Sequence, residues 1–591
     1  MAATELTNTE IADALAELGD LYELDGAIVH RVLAYRSAAK SVREAPVSVA
    51  SLALKGRASE LAGIGSTLQE KILTLVSTGS IPSAERLRAK YPPGLLELTR
   101  LPGLGPKRAR LLYSELGIDS LAALREAAEA HRLRTVKGLG PKFEQSMLEA
   151  LEHVGDGGMP PEPARVLLPR AIEIGSAIVT GLKSAGGPGT SAQLAGSLRR
   201  QAESVKDLDI VAVSSSPHEL TRSLGELPEI ESVSSAGTAG ARARTHSGMA
   251  VDLRIAAPAQ AGNLLQHFTG SGAHNAALRE QVTPRGLHVS EYGILDDSSG
   301  LTQECTTEQE VYERLGLAYI EPELRENRGE LQAARLSPPP GSRGLPDLIE
   351  LGDIRGDLHS HTLASDGRAS IEEMAIAARE IGHEYLAITD HSASHGFGDA
   401  VSAEQLRRQI ELVHRANEEI GGIELLAGSE VNILPDGSLD YEDELLAQLD
   451  WVIASVHTAF GMGEQAMTER MLAAVEHPLV DAIGHPTGRL IQRRPAYAID
   501  REAVFAAAAR TRTMLEINAN PDRRDLSEID ARAAAAAGAP LIIDSDAHRP
   551  QTLGNLRWGV ATARRAWLTR GDVLNTRSWP ELRALGKKPG K

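Results

Sequence analysis

From Thr9 to about Glu152 apolar residues recur at three- and four-residue spacing, which predicts amphipathic helices and no strands. A short element returns in this stretch: LAGIGSTLQEKI at 61–72, LPGLGPKRARLL at 101–112 and VKGLGPKFEQSM at 136–147. Each copy is apolar-x-Gly-apolar-Gly followed by a helix-like run, so two glycines sit in a tight turn at a helix N-terminus. Lacking a Cβ, such a turn lets backbone N–H groups approach a phosphate closely. A single turn of this kind is most often a plain helix boundary. Three copies, two of them followed by Pro-Lys, point to the backbone of a nucleic acid.

Gly155 to Glu162, GDGGMPPE, reads as a linker. Ala164 to about Arg328 mixes helices with strands such as LDIVAV and GMAVDLRIA, the texture of an α+β domain. SPPPGSRGLPD at 337–347 cannot continue regular structure and marks a second linker. Beyond it strand-like runs alternate with helices seven times: GDLHSH, YLAITDH, IELLAGSEVNI, WVIASVH, VDAIGH, TMLEINAN and PLIIDSDAH. That alternation predicts parallel strands under covering helices, in a closed or nearly closed barrel.

A chain of 591 residues is too long for one core and suggests about three to five domains. It has no run of about 18 apolar residues and no basic-plus-apolar leader at Met1, so a cytoplasmic location is expected and no membrane partner. With Cys305 as the only cysteine, any metal must be held by His, Asp and Glu. The formal net charge of -18 disfavours a phosphate-rich partner, yet Ile81 to Lys142 carries six more basic than acidic residues.

Asp207-Leu208-Asp209 runs into Ile210-Val211 as a half-buried strand would, so both carboxylates face one way. In AVDLRI, Asp252 and Arg254 share one face while Val251, Leu253 and Ile255 form the other. If the two strands are neighbours, three carboxylates converge, and a divalent cation is their natural partner. Magnesium suits oxygen ligands shared with substrate phosphates, and manganese is the alternative. Alone, a D-x-D is more often a surface strand with ordinary ion pairs. Here Gly196-Ser197 offers a turn with a hydroxyl, and Arg199-Arg200 offers guanidinium groups suited to phosphate. Downstream, HFTGSGAHNAALR places Phe268, Gly270, Ser271 and Asn275 in a turn leading into a helix.

In that order GSLRR, DLD, VDLR and FTGSGAHNAALR resemble the family X DNA polymerases, and with the glycine turns the resemblance covers residues 1 to about 320. It implies that Asp207, Asp209 and Asp252 hold two magnesium ions, with Asp252 near the primer 3′ hydroxyl. Gly196, Ser197, Arg200 and Gly270 would serve the incoming triphosphate, Asn275 the minor-groove edge, and Arg254 would respond to closure. Gly63, Gly65, Gly103, Gly105, Lys107, Gly138, Gly140 and Lys142 would bind the DNA backbone. Lys71 stands where a family lysine forms a Schiff base with a baseless sugar phosphate, although Thr67 replaces a neighbouring lysine. His267 stands where the family often has tyrosine, which bears on sugar discrimination. Lys206 replaces a common glycine: its side chain would add charge to the triphosphate, crowd it or turn outward. The last two permit a weak or manganese-dependent polymerase.

Histidines and carboxylates mark the ends of the first five predicted strands and of the seventh, on the rim where β/α barrels build their sites. HxH, DH, GHP and DSDAH resemble the PHP domain, and all its ligand positions are filled: His359, His361, Asp366, His391, Glu430, His457, His485, Asp546 and His548. The resemblance implies up to three ions, manganese or zinc, and phosphoester hydrolysis. His383, His395, His414 and His477 fall off the pattern and are expected at the surface or behind the ligands.

Together the two resemblances imply a multidomain fold: an N-terminal all-α helix-hairpin-helix region, an α+β nucleotidyltransferase palm like that of polymerase beta, and a C-terminal α/β PHP barrel of about seven βα units. Expected boundaries are 1–80 for a lyase-like helical domain with the first helix-hairpin-helix and 81–155 for two more, then 163–255 for the palm. A nucleotide-selection subdomain at 256–330, a linker at 331–352 and the PHP domain at 353–580 complete the chain. The implied activity is gap filling in DNA repair, including base excision repair, with a 3′-to-5′ exonuclease in the barrel. Abasic-site cleavage and 3′-phosphate removal stay open. Implied partners are gapped or primed double-stranded DNA and deoxynucleoside triphosphates, for a monomer associated with the nucleoid. A small-molecule phosphatase and a repair scaffold with a weak or inactive polymerase site are the competing readings. The tandem glycine turns disfavour the first, and the complete carboxylate set the second.

Overall fold

The computed structural model describes residues 6–99, 101, 103–155, 165–337, 339, 341, 343–394 and 400–587. The chain folds as two compact units. One comprises Met1–Val166, Ile172–Leu194 and Lys206–Pro258, the other Leu167–Ala171, Ala195–Val205 and Ala259–Lys591. This division cuts across the linear boundaries expected for the palm, because the GSLRR segment packs with the later part of the chain.

Described residues up to Gly155 form helices and turns only. Asn8–Leu24 starts at a capping box in which the Thr7 hydroxyl accepts from the Glu10 N–H and Glu10 accepts from the Thr7 N–H, a device worth about 1 kcal/mol. Its buried face of Ile11, Leu15, Leu18 and Leu21 joins Tyr35, Val42 and Ile72 in one core. Leu98, Leu112, Leu124, Leu133 and Met147 build a second. Each such side chain contributes roughly 1.5–3 kcal/mol on burial.

The first unit continues into a five-stranded mixed sheet in the order Ser191–Leu194, Asp207–Val213, Ala250–Ala256, Gly240–Thr245, Ile230–Gly237. Asp207–Val213 and Ala250–Ala256 pair in parallel, in the middle of the sheet. Leu208, Ile210, Val251 and Leu253 are buried, which turns the intervening carboxylates to the other face.

In the second unit, Leu278, Val311, Tyr312 and Leu324 centre a small core beside a three-stranded antiparallel sheet, and Cys305 is buried in it. Of the first expected linker only Gly155 is described. The linker expected at 331–352 is anchored at its C-terminal part: the Ile349 N–H donates to the Leu568 carbonyl at 3.1 Å, and Leu348 bridges to Thr569.

Seven parallel strands follow in chain order: Gly356–Asp357, Tyr385–Ile388, Glu424–Asn432, Trp451–Ser455, Ala482–Ile483, Met514–Asn518 and Leu541–Asp544. They are buried on both faces, so they read as apolar runs rather than alternations. The seam between first and last strand is closed by side chains. Asp544 accepts from the Leu358 N–H at 2.9 Å and Asp357 from the Ser545 N–H at 3.1 Å. Asn575 donates to the carbonyls of both Gly356 and Ile543, and Ser360 bridges to Ala547. Burial pushes the Asp357 carboxyl up to about 6 and Asp544 well above its ordinary value. Among the described residues no helix is long and apolar enough to cross a membrane.

Candidate functional site

The barrel rim gathers the nine predicted ligands. His361, Asp366, His391 and His548 form one group whose ligand atoms lie within 4.8 Å of one another; His359, His361 and Asp546 form a second, and His391, Glu430 and His457 a third. His485 joins through its Nε2, 2.9 Å from Glu430 Oε1. Glu430 is the hub, with its Oε2 2.8 Å from His391 Nδ1 and its Oε1 3.2 Å from His457 Nε2. Two ligands, His485 and Asp546, have left-handed backbone at φ 31 and 53, strain that a tightly packed site can hold.

The charges at this centre are interlocked. Burial would raise the Glu430 carboxyl, but His457, His391 and His359 hold it well below the carboxylate range. Burial and the neighbouring His548 and His391 push His361 down to about 4, and burial takes His485 to about 3. Burial also acts against a proton on His548, yet Asp366 and Asp546 prevail and lift it to about 9. The buried Nε2 of His359, both ring nitrogens of His361 and Nδ1 of His485 have no hydrogen-bond partner among the described residues. Lone pairs of that kind, set among carboxylates, fit divalent cations.

Residues missed in the sequence support the ligands. Glu516 Oε1 lies 2.6 Å from His359 Nδ1. Asn518 donates to Asp546 at 3.1 Å, and Asp390 accepts from Thr362 at 2.7 Å. Arg493 and Arg523 line a cavity of about 240 Å³ over the ligands, with Arg523 Nε 3.7 Å from Asp546. The signals were present: Glu516 alternates with apolar residues in a predicted strand, and Arg523 closely follows the end of that strand. Of the four off-pattern histidines, His414 is exposed and His477 partly so, while His395 lies outside the described residues. His383 is a correction. It is buried just before Tyr385–Ile388, at the opposite end of the barrel from the ligands, neither at the surface nor behind them.

In the first unit Asp209 pairs with Asp252 across the parallel strands, and Asp207 with Ala250. The expected convergence of three carboxylates is looser than at the barrel, and all metal-spaced groups among the described residues belong to the barrel. Arg254 explains the difference. Two residues along the same strand face, it grips Asp252 with both Nε at 2.8 Å and NH2 at 2.9 Å, and Arg242 stands 3.8 Å away. Lys206 and Asp207 are exposed and Asp209 half-buried.

The residues expected to grip a triphosphate belong to the second unit. Gly196–Arg199 makes one helical turn beginning at φ 59, with Ser197 half-buried. Arg200 is engaged: Nε lies 3.0 Å from Glu326 and NH1 donates to the Thr269 carbonyl at 2.8 Å. Asn275 is also turned inward, donating to the His267 carbonyl at 2.6 Å and accepting from Gln266 at 3.0 Å. A Cβ on Gly270 would meet His274 at 2.8 Å and Asn275 at 2.9 Å, so the turn requires glycine. His267 is half-buried beside Phe268, and burial pushes its imidazole below the ordinary value.

Among the helix-hairpin-helix residues, Gly63, Gly103 and Gly138 have φ of 80, 82 and 90, conformations that favour glycine. Gly65, Gly105 and Gly140 precede the helices Ser66–Thr78, Pro106–Leu116 and Pro141–Gly155. A Cβ on any of those three would meet nothing within 4 Å, and Lys107 and Lys142 are exposed beside them. Lys71 is half-buried and donates to the Ser83 hydroxyl at 3.0 Å.

Family models match four stretches: a helix-hairpin-helix domain at 6–81, a SAM-like helix-hairpin-helix tandem at 95–152, the DNA polymerase beta thumb at 264–326 and the PHP domain at 357–520. The thumb match falls on the stretch expected to select nucleotides. The chain is 30% identical over 240 residues to a probable phosphatase of Syntrophotalea carbinolica, covering 39% of this chain and 95% of that one. A probable phosphatase of Shewanella sp. (strain ANA-3) is 36% identical over 234 residues, 37% of this chain and 86% of its own. The DNA polymerase/3′-5′ exonuclease PolX of Bacillus subtilis (strain 168) is 37% identical over 581 residues, 98% of this chain and 99% of that protein. With that identity over nearly the whole of both proteins, and with the helix-hairpin-helix, polymerase beta thumb and PHP matches in this order along it, the chain belongs to the PolX family of bacterial DNA polymerases.

Proposed function

We propose that this protein fills short gaps in DNA by template-directed nucleotidyl transfer and removes 3′-terminal nucleotides at the barrel. The observation that carries the reading is the union, in one chain, of a nine-ligand rim with Asp209 and Asp252 paired on neighbouring strands. The glycine turns ahead of them would hold the DNA through its phosphates.

Asp207, Asp209 and Asp252 would hold magnesium, or manganese, and the rim up to three manganese or zinc ions. Bound there, such ions supply Lewis-acid stabilisation of phosphoryl oxygens and lower the pKa of an attacking hydroxyl or water. In synthesis the primer 3′ oxygen attacks the α-phosphorus and pyrophosphate leaves. Ser197 and Arg200 would take the triphosphate charge, and Asn275 would read the minor-groove edge after leaving its present partners. In hydrolysis water attacks the terminal phosphodiester and a nucleoside monophosphate leaves. Glu516 fixes the ring of His359, while Arg493 and Arg523 offer guanidinium groups to the phosphate.

The Arg-lined cavity and the likeness to probable phosphatases also favour removal of 3′ phosphates, with abasic-site cleavage as a related hydrolysis. Gapped or primed duplex DNA and deoxynucleoside triphosphates are the proposed partners, for a monomer at the nucleoid in the cytoplasm. The test follows extension and degradation of a primer on one-nucleotide-gapped DNA, with magnesium or manganese. Asp209→Asn should lose extension and keep degradation, and His391→Ala the converse. Extension that survives the first substitution, or degradation that survives the second, overturns the corresponding assignment.

A further inference from the structure

The segment Ala195–Val205, which carries GSLRR, belongs to the same compact unit as the barrel. Two barrel arginines take consecutive carbonyls of its turn. Arg565, at the end of the helix Leu556–Arg565, donates from NH1 to the Arg200 carbonyl at 2.6 Å. Arg524, in the loop after the strand Met514–Asn518, donates from NH1 to the Gln201 carbonyl at 3.2 Å. Gln201 has φ 58, a left-handed conformation that a glutamine keeps only where its surroundings hold it. Arg489 adds an ion pair to Glu203 at 2.8 Å.

Side chains extend the same linkage. Glu326 Oε1 lies 3.0 Å from Arg200 Nε and 3.0 Å from Arg565 NH1. Arg565 NH2 is 3.0 Å from Glu528, and the Arg565 side chain is 5% exposed. One carboxylate is therefore shared between the arginine read as a triphosphate contact and a buried arginine of the barrel.

We propose that Arg565 is a positioning residue for nucleotide binding: it holds the backbone of Arg200 and, by sharing Glu326, sets how readily the Arg200 guanidinium exchanges that carboxylate for a triphosphate. The proposal rests on the reading of Arg200 as a triphosphate contact. Without the Arg565 fork, Glu326 has a single cation and draws Arg200 harder, so nucleotide binding weakens. Neutralising Glu326 releases Arg200, and binding tightens. A role confined to stability would move both variants the same way.

The experiment measures gap filling against deoxynucleoside triphosphate concentration, with exonuclease rate and thermal melting, for Arg565→Lys, Glu326→Gln and Arg200→Ala. Lysine keeps the charge of Arg565 but not the fork that reaches several acceptors. In Arg565→Lys the nucleotide KM should rise about tenfold, and in Glu326→Gln it should fall about threefold, the scale of one charge-assisted hydrogen bond. For both, kcat and exonuclease rate should stay within about twofold. Shifts of equal sign, or no shift, overturn the positioning role. If Arg565→Lys does not fold, Glu326→Gln decides alone, and an unchanged or raised KM overturns the proposal. An unchanged KM in Arg200→Ala overturns the reading of Arg200 itself and the proposal with it. A KM that depends on Arg200 but not on Arg565 or Glu326 removes only the positioning role.

Discussion

The imidazole of His359 rests on Glu516, with Nδ1 2.6 Å from Oε1, while its Nε2 faces Glu430 at 3.4 Å and Asp546 at 3.7 Å. Burial acts against a proton on this ring, but the surrounding carboxylates, Glu516 first, raise its pKa well above the ordinary value. A carboxylate behind a ligating imidazole fixes its tautomer and aim. Glu516→Gln should therefore raise the metal concentration needed for half-maximal exonuclease activity by about tenfold to a hundredfold, with primer extension intact. A metal titration of degradation in wild type and variant checks this, and an unchanged midpoint would contradict it.

The metal-free rim should show a pH signature at His548. Its folded pKa, about 9, lies above the unfolded value of roughly 6.5. The stability it lends the metal-free protein is therefore complete below the unfolded value and lost as pH rises through about 9. Asp546 and Glu430, held low, act in the opposite sense: their contribution is present above the unfolded carboxylate range and lost in acid. In chelator, wild type should lose more Tm than His548→Ala between about pH 6.5 and pH 9.5. Equal losses would remove this role.

Lys206 is exposed at the edge of the carboxylate strand. Lys206→Gly should leave the nucleotide KM within about twofold, as for a surface substitution. A gain in affinity of about tenfold would instead mean that the lysine crowds the triphosphate.

Lys107 and Lys142 are exposed next to Gly105 and Gly140. Each alanine substitution should weaken DNA binding independently of sequence and reduce the slope of log K against log salt by about one. Binding isotherms at several salt concentrations supply the slope, and parallel lines for wild type and variants would exclude phosphate contact.

Lys71 is half-buried and donates to the Ser83 hydroxyl, so it meets a sugar aldehyde only by leaving that bond. Borohydride should trap wild type on DNA carrying a baseless sugar phosphate and fail to trap Lys71→Ala. Equal trapping would transfer the lyase role to another amine.

The local signals in the sequence survive in the structure because they depend on neighbours along the chain. The helical spacing up to Gly155, the glycine turns and the seven barrel strands in their order depend on periodicity and on residues that tolerate a special backbone, all short-range properties. The histidines and carboxylates at strand ends were likewise legible, since parallel strands place their C-terminal ends on one rim. Which groups would steady or compete with those ligands was not legible. Glu516 meets His359 across 157 residues and Arg565 meets the Arg200 carbonyl across 365. The local alternation did put Arg254 on the face of Asp252, but a two-residue spacing cannot say whether the arginine grips the carboxylate or leaves it to a metal. Short-range pattern is enough to set the elements, their order and the residue types gathered at the strand ends. Which charges are paired follows from long-range packing, because a buried charge takes whichever opposite charge is brought within about 4 Å, wherever that residue lies in the chain.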